Sequence, residues 1–368
     1  MSGIFSLYIL IFFCGGIVVG PLLDRVGPRI LIPAGSAIAA LGLFGCSTVE
    51  SPHSLFFYYG CITAAGVCCM SWVPNSVIPA NWFPKNRGAA VGLVMCGSGL
   101  AMFLFIPLSQ LLIEWVGWRG AFRVLALITV TTVAPANAIF QRIRPPSTRP
   151  RVDGGPSPGE PIPPEENFTG LNGNFSKTIR DRRFRMMCIA SLCNPFFTFS
   201  IILHQVAVLV SQGYDAQTAA ARLGFVGLFT MIGRLGSGAV SDRIGREPAY
   251  TLFMGFAALG VLFLYFSGPS RSWVLPFYMV FCGMGLGVGG AMFPAMLADM
   301  YPCRNLGGIF GVVSFFSGIG ACLGSWFTGY SYDMTGSYGM GLGFLFSAVW
   351  AAVFFVWLAA PRTGDIDG

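Results

Sequence analysis

The sequence Gly20-Pro-Leu-Leu-Asp24-Arg25-Val-Gly27-Pro-Arg29 returns 218 residues later as Gly238-Ala-Val-Ser-Asp242-Arg243-Ile-Gly245-Arg246-Glu247. Each copy closes an apolar run. The spacing persists beyond the motif. Ala80-Asn-Trp-Phe-Pro84 answers Ala298-Asp-Met-Tyr-Pro302 at the same offset, and Gly99, Glu114 and Gly117 answer Gly318, Asp333 and Gly336 at 219. A fixed offset of this length means that one multi-helix unit occurs twice in tandem. The chain is thereby held to two pseudo-symmetric halves before any helix is assigned.

Both halves belong in lipid. Of 368 residues, 54% are hydrophobic and 10% charged, with a mean hydropathy of +0.69; soluble domains carry roughly 25% charged residues. A helix crosses the hydrocarbon core with about 20 apolar residues. Such runs lie near 3–21, 29–49, 54–79, 88–112 and 119–140, then near 184–211, 219–240, 248–267, 273–298, 306–330 and 339–360. The expectation is an all-α membrane protein with an N-terminal bundle over residues 1–140, a linker over 141–183 and a C-terminal bundle over 184–368. The net charge of +7 does not indicate a nucleic-acid partner, because the basic residues sit in loops at membrane boundaries rather than in one patch.

Five helices plus six is an odd total for a duplication. The offset sets 219–240 over residues 1–22, so the counterpart of 184–211 would end before residue 1. Either the sequence starts at an internal methionine or the protein lacks its first helix; a truncated or mis-started gene product is favoured. Residues 3–21 are not read as a signal peptide, since no basic leader or small-residue cleavage site accompanies them.

The linker holds eight prolines and ends in the basic tail Lys177-Thr-Ile-Arg180-Asp-Arg182-Arg183-Phe-Arg185. That composition predicts a disordered or polyproline-like segment ending in a short basic surface helix. Basic residues also decide sidedness. Arg25, Arg29, Lys85, Arg87, the nine from Arg142 to Arg185, Arg243, Arg246, Arg304 and Arg362 share the side of the repeated motif, against Arg119, Arg123, Arg222 and Arg271 opposite. The motif loops, linker and C-terminus are expected in the cytoplasm of a plasma or inner membrane. The sequons at Asn167 and Asn174 are then unused.

The repeated motif resembles the loop signature of the major facilitator superfamily. The resemblance spans the whole chain as helices 2–12 of a twelve-helix fold, with helix 1 missing. Asn81-Trp-Phe-Pro-Lys-Asn-Arg87-Gly-Ala-Ala-Val-Gly92, Gly97-Ser-Gly99, Gly117-Trp-Arg119-Gly-Ala-Phe122, Gly307-Gly308-Ile-Phe-Gly311 and Tyr332-Asp333-x-Thr-Gly336-Ser-Tyr338 resemble its monocarboxylate and oxalate/formate branch. The resemblance implies a gate. Gly20 and Gly238 let backbones approach, while Gly27 and Gly245 make the turn into the next helix. Asp24 and Asp242 can face a helix N-terminus of the opposite half, a contact worth about 0.3–1 kcal/mol. Arg25, Arg29, Arg243 and Arg246 can pair with carboxylates or lipid phosphates. Pro28 stands where the family often has a basic residue, which weakens the first latch.

Arg234 is the main substrate-binding candidate. It lies eight residues before Asp242, so it sits about 12 Å inside the membrane. Ionisable groups at that depth usually line a pathway. By Arg234-x3-Gly238 it matches the family arginine that holds the substrate carboxylate. The resemblance is incomplete, because Thr230 replaces an aspartate and Ser314–Ser317 offers no lysine. One fixed cation argues against a dicarboxylate. His204 is a titratable group within a helix. Asn194-Pro195, Pro74-Asn75 and Gly287-x-Gly-Gly290 with Pro294 interrupt helices that line the family's cavity, which adds Asn75 and Asn194 to the candidate set.

The eleven cysteines form no CxxC pair, and there are only two histidines, so no metal site, disulfide framework or cofactor is expected. No Ser/His or Asp/Asp constellation at membrane depth suggests an enzyme. The leading reading is a monomeric secondary carrier of a small organic anion, a monocarboxylate, with protons and membrane lipids as its other partners. The alternatives are a drug or metabolite exporter of the same superfamily and a non-transporting receptor or pseudotransporter.

Overall fold

A computed structural model describes residues 2–70, 72–83, 86–141, 178–301 and 306–360. Most of the linker with its sequons, together with Lys85, Arg304 and Arg362, lies outside the described residues.

The described chain is helical throughout. The N-terminal half comprises α1 (Ser2–Cys14), α2 (Gly16–Val26), α3 (Pro28–Cys46), α4 (Pro52–Leu55), α5 (Ala64–Met70), α6 (Trp72–Trp82), α7 (Arg87–Ile128) and α8 (Ala134–Phe140). The C-terminal half comprises α9 (Arg182–Ser211), α10 (Ala216–Ile244), α11 (Arg246–Tyr265), α12 (Val274–Met300), α13 (Leu306–Thr335) and α14 (Gly339–Ala359).

The fragmentation of the first half follows from local chemistry. A 40° bend at Gly15 separates α1 from α2. Phe56–Thr63 and Thr129–Val133 are π-turns that continue α4 into α5 and α7 into α8. Gly117 breaks α7 with φ 71°, and its repeat mate Gly336 ends α13 with φ 67°. Gly27 and Gly245 have φ 82° and 95°, values that favour glycine. Among the described residues, with α1–α2 and α4–α6 each taken together, eleven helical runs result, matching the apolar runs of the sequence.

Eight helices among the described residues are long and apolar enough to cross a membrane, nine with the bent pair counted as one span. The two remaining runs are the part of α7 before Gly117 and α10. They pack on each other across the two halves, so charged side chains there need not face lipid.

Within the C-terminal half, α9 packs on α13 and α14, and α12 packs on α10 and α11. Tyr250, Tyr278, Phe184, Phe197 and Phe310 are its largest buried side chains. In α14, 39% of the apolar window is buried, against 6% in its repeat counterpart Leu111–Phe140. The repeat explains the contrast. α9 covers α13 and α14, and among the described residues no helix stands in that position over α7 and α8.

Candidate functional site

The halves meet along two seams related by the repeat, α2 against α13 and α7 against α10. At the motif end the backbones touch. A Cβ on Gly20 would overlap the Gly307 carbonyl, and one on Gly238 the Gly88 carbonyl. That approach lets each motif aspartate cap a helix of the other half. Asp24 accepts from the amides of Gly307 at 3.2 Å and Gly308 at 3.1 Å. Asp242 accepts from those of Gly88 at 3.1 Å and Ala89 at 2.9 Å. A helix start leaves unpaired N–H groups and a positive dipole end, and the carboxylates satisfy both.

The two latches differ in charge. Around Asp242, Arg246 Nη1 donates to Asp242 at 2.5 Å and to Ser241, while its Nε donates to Asp299 at 2.8 Å. Asp299 also accepts from Arg87 Nη1 at 2.6 Å, and Arg87 reaches the Ala298 carbonyl at 2.9 Å. A chain of ion pairs therefore runs across the halves, and it opens onto a cavity of about 400 Å³ lined by Arg183, Glu247, Met296 and Tyr301. Around Asp24 the repeat puts Pro28 in place of Arg246 and Asn81 in place of Asp299. Arg29 turns to its own half, donating to the Ala138 carbonyl at 3.1 Å. Arg25 and Arg243 are exposed.

Deeper along the α7–α10 seam lies Arg234. Its Nη1 donates to the Met95 carbonyl at 2.7 Å and to the Ser98 hydroxyl, both on α7. Cys96 Sγ adds a bond to the Met231 carbonyl at 3.3 Å. Arg234 Nε is buried without a partner among the described residues. Glycines bring α12 close on the other side. A Cβ on Gly287 would stand 2.7 Å from the Arg234 amide nitrogen, and one on Gly290 would stand 3.5 Å from Nε and 3.8 Å from Trp72 Cη2. Pro294 supplies no N–H for the Gly290 carbonyl. The guanidinium is thus enclosed by α10, α12, α7 and α6, drawn from both halves. An unspent guanidinium edge in such a place can hold a planar anion by two parallel hydrogen bonds.

The profile of the Major Facilitator Superfamily matches residues 1–325. The chain belongs to this superfamily. It is an integral multi-pass membrane protein of a family of carriers, not of enzymes. It is 26% identical over 308 residues to MFS-type transporter 1 of Ophiocordyceps sp. (strain BCC 1869), covering 83% of this chain and 64% of that protein. It is 27% identical over 322 residues to monocarboxylate transporter 13 of Rattus norvegicus, covering 86% of this chain and 70% of that one. The fold is similar to the crystal structure of the MFS transporter FucP in its outward conformation. That match has a TM-score of 0.75 at 14% identity, over 98% of this chain and 90% of FucP.

The other candidates of this superfamily member make contacts of their own. Asn75 Nδ2 donates to the Met70 carbonyl at 2.9 Å, the group that Pro74 leaves without an N–H. Asn194 is buried inside the C-terminal bundle, where its amide meets Tyr250 Oη at 3.3 Å and Met254 Sδ at 3.4 Å and fills the space over Gly289. His204 lies toward the far end of α9, with Nε2 2.9 Å from the Ser325 carbonyl and its ring beside Tyr338. Arg234 lies eight residues before Asp242 of its motif, whereas His204 lies 22 residues from the start of α9, so the two sit at different levels of the bundle. At the end of the bundle away from the motif, Arg119 bonds the Val49 carbonyl and Arg123 the Ser47 hydroxyl, holding the end of α3 to α7. Ser98 and Trp72 beside Arg234, and the Arg87–Asp299 pair beside Asp242, are contacts that no single motif in the sequence announces. Each of these residues lies inside or beside a motif or repeat.

Proposed function

We propose that this protein carries a small organic monocarboxylate across the membrane by alternating access. Arg234 holds the carboxylate, and the Asp24 and Asp242 latches close the cytoplasmic side while the opposite side is open. The observation that carries this reading is the Arg234 guanidinium. Both of its hydrogen bonds to described residues leave from Nη1, and Nε is buried without one. Stranding a buried donor costs about 1–3 kcal/mol, more on a charged group. A carboxylate on the Nε and Nη2 edge removes that cost and the net charge together.

The likeness to monocarboxylate transporter 13 agrees with that substrate class. Binding of a single anion to a single cation leaves the site neutral, which lowers the barrier to rocking the halves past one another. Uptake together with a proton keeps the whole cycle electroneutral. Opening inward breaks four backbone-to-carboxylate bonds and the Arg87–Asp299 pair, so the Asp242 side releases last.

The test is ligand-induced stabilisation of the purified chain in detergent. Acetate, pyruvate and lactate raise the unfolding temperature of the wild type in a saturable way, following RT ln(1 + [L]/Kd). The same titration of Arg234→Ala leaves it flat. A wild type that responds to none of the three contradicts the substrate class.

A further inference from the structure

Ser98 and Met95 lie one turn apart on α7 and make a two-point seat for Arg234. The Ser98 hydroxyl donates to the Met95 carbonyl at 2.9 Å and accepts from Arg234 Nη1, and the same carbonyl accepts from Nη1 at 2.7 Å. A guanidinium has five N–H donors arranged as two forks, one across Nη1 and Nη2 and one across Nε and Nη2. The seat uses both hydrogens of Nη1. It closes the first fork and leaves the second, whose Nε is the buried atom without a partner.

We propose that Ser98 is a positioning residue that selects which edge of Arg234 meets the substrate, and so restricts the site to one carboxylate per arginine. The proposal rests on the reading of Arg234 as the substrate's cation. Selection follows from geometry. With Nη1 committed, a second carboxylate on the same molecule finds no free fork, whereas a monocarboxylate needs only the one that remains. The seat also belongs to the opposite half. It forms where a Cβ on Gly92 would stand 2.6 Å from the Arg234 carbonyl oxygen, that is, where α7 and α10 are in backbone contact. The substrate-binding edge is therefore presented when this seam is closed and is lost when the seam opens, which ties release of the anion to the rocking step.

Ser98 is exposed at the residue level, so its replacement leaves the fold intact. The experiment compares wild type, Ser98→Ala, Ser98→Thr and Arg234→Ala in proteoliposomes. Uptake is measured with whichever of acetate, pyruvate and lactate is carried fastest, and oxalate is added as a competing dicarboxylate. Losing one hydrogen bond to a charged group raises KM about tenfold in Ser98→Ala, with Vmax within about twofold. Oxalate then inhibits at least fivefold better relative to that KM, because the Nη1 fork is free. Ser98→Thr keeps the hydroxyl and stays near wild type on both measures. Ser98→Ala with unchanged KM and unchanged oxalate inhibition overturns the proposal, as does a Ser98→Thr that behaves like Ser98→Ala. If Arg234→Ala abolishes uptake in those cases, the carrier reading survives and only the role of Ser98 falls. Retained uptake in Arg234→Ala overturns the underlying reading instead.

Discussion

Asp24 on α2 and Gly307 on α13 stand 283 residues apart in the chain and are joined by a 3.2 Å hydrogen bond from the Gly307 amide to the Asp24 carboxylate. The repeat makes the same bond again between Gly88 and Asp242 at 3.1 Å. One copy of the motif thus latches each half to the other. The copies are not equivalent, because among the described residues only the second is embedded in a network of ion pairs.

Removal of the two carboxylates is expected to have unequal effects. Asp24→Ala deletes two backbone bonds and costs about 1–2 kcal/mol. Asp242→Ala deletes two backbone bonds and also strands Arg246, and it costs about 2–4 kcal/mol after allowance for the water that reaches Asp299. Thermal unfolding of the two variants in detergent gives the order. An Asp24 variant less stable than the Asp242 variant contradicts the account of the latches.

Arg87 and Asp299 are expected to be energetically coupled across the halves. A double-mutant cycle with Arg87→Ala and Asp299→Asn should give an interaction energy of about 0.5–1.5 kcal/mol, within the range seen for contacting charged residues. Strictly additive losses mean that the 2.6 Å pair does not hold the halves together.

Backbone contact at the motif glycines predicts a shift in conformation rather than in folding. Gly238→Ala puts a methyl group into the Gly88 carbonyl and disfavours the closed seam by about 1–3 kcal/mol. Spin labels at the motif ends of α7 and α10 should move apart in this variant. The control is Gly224→Ala on the same helix, where a Cβ meets nothing within 4 Å and the distance should stay at its wild-type value.

His204 is expected to support the bundle rather than the substrate. His204→Phe loses the bond to the Ser325 carbonyl, which costs about 1 kcal/mol of stability, and leaves substrate KM within about twofold. A KM that rises tenfold at unchanged stability places the imidazole on the transport path.

Much of this architecture is legible in the sequence because it is periodic. Apolar runs of membrane-spanning length appear as helices, and the 218-residue offset pairs Asp24 with Asp242 before any coordinates. Turn glycines are legible for a local reason, since Gly27 and Gly245 follow an apolar run and precede the next helix. What escapes is contact between distant segments. Arg87 and Asp299 each belong to a visible motif, yet nothing local says that their side chains meet across 212 residues. Ser98 is similar. It sits in Gly97-Ser-Gly99, and its role appears only when α7 lies against α10. Asn75 and Asn194 show the opposite difficulty. Each sits beside a proline that the sequence reads as an interruption, yet α6 and α9 run on through Pro74 and Pro195, and the two amides bond the Met70 carbonyl and Tyr250.

The central claim is that one arginine at the inter-half seam recognises the carboxylate of a small monoanion. Uptake of radiolabelled acetate, pyruvate and lactate into proteoliposomes, comparing wild type with Arg234→Ala and Arg234→Lys, tests it most directly. Saturable uptake of at least one of the three is expected of the wild type, and of Arg234→Ala none above the liposome background. Arg234→Lys should raise KM about tenfold or more, because lysine keeps the charge and loses the fork. Saturable uptake by Arg234→Ala at the wild-type KM contradicts the claim.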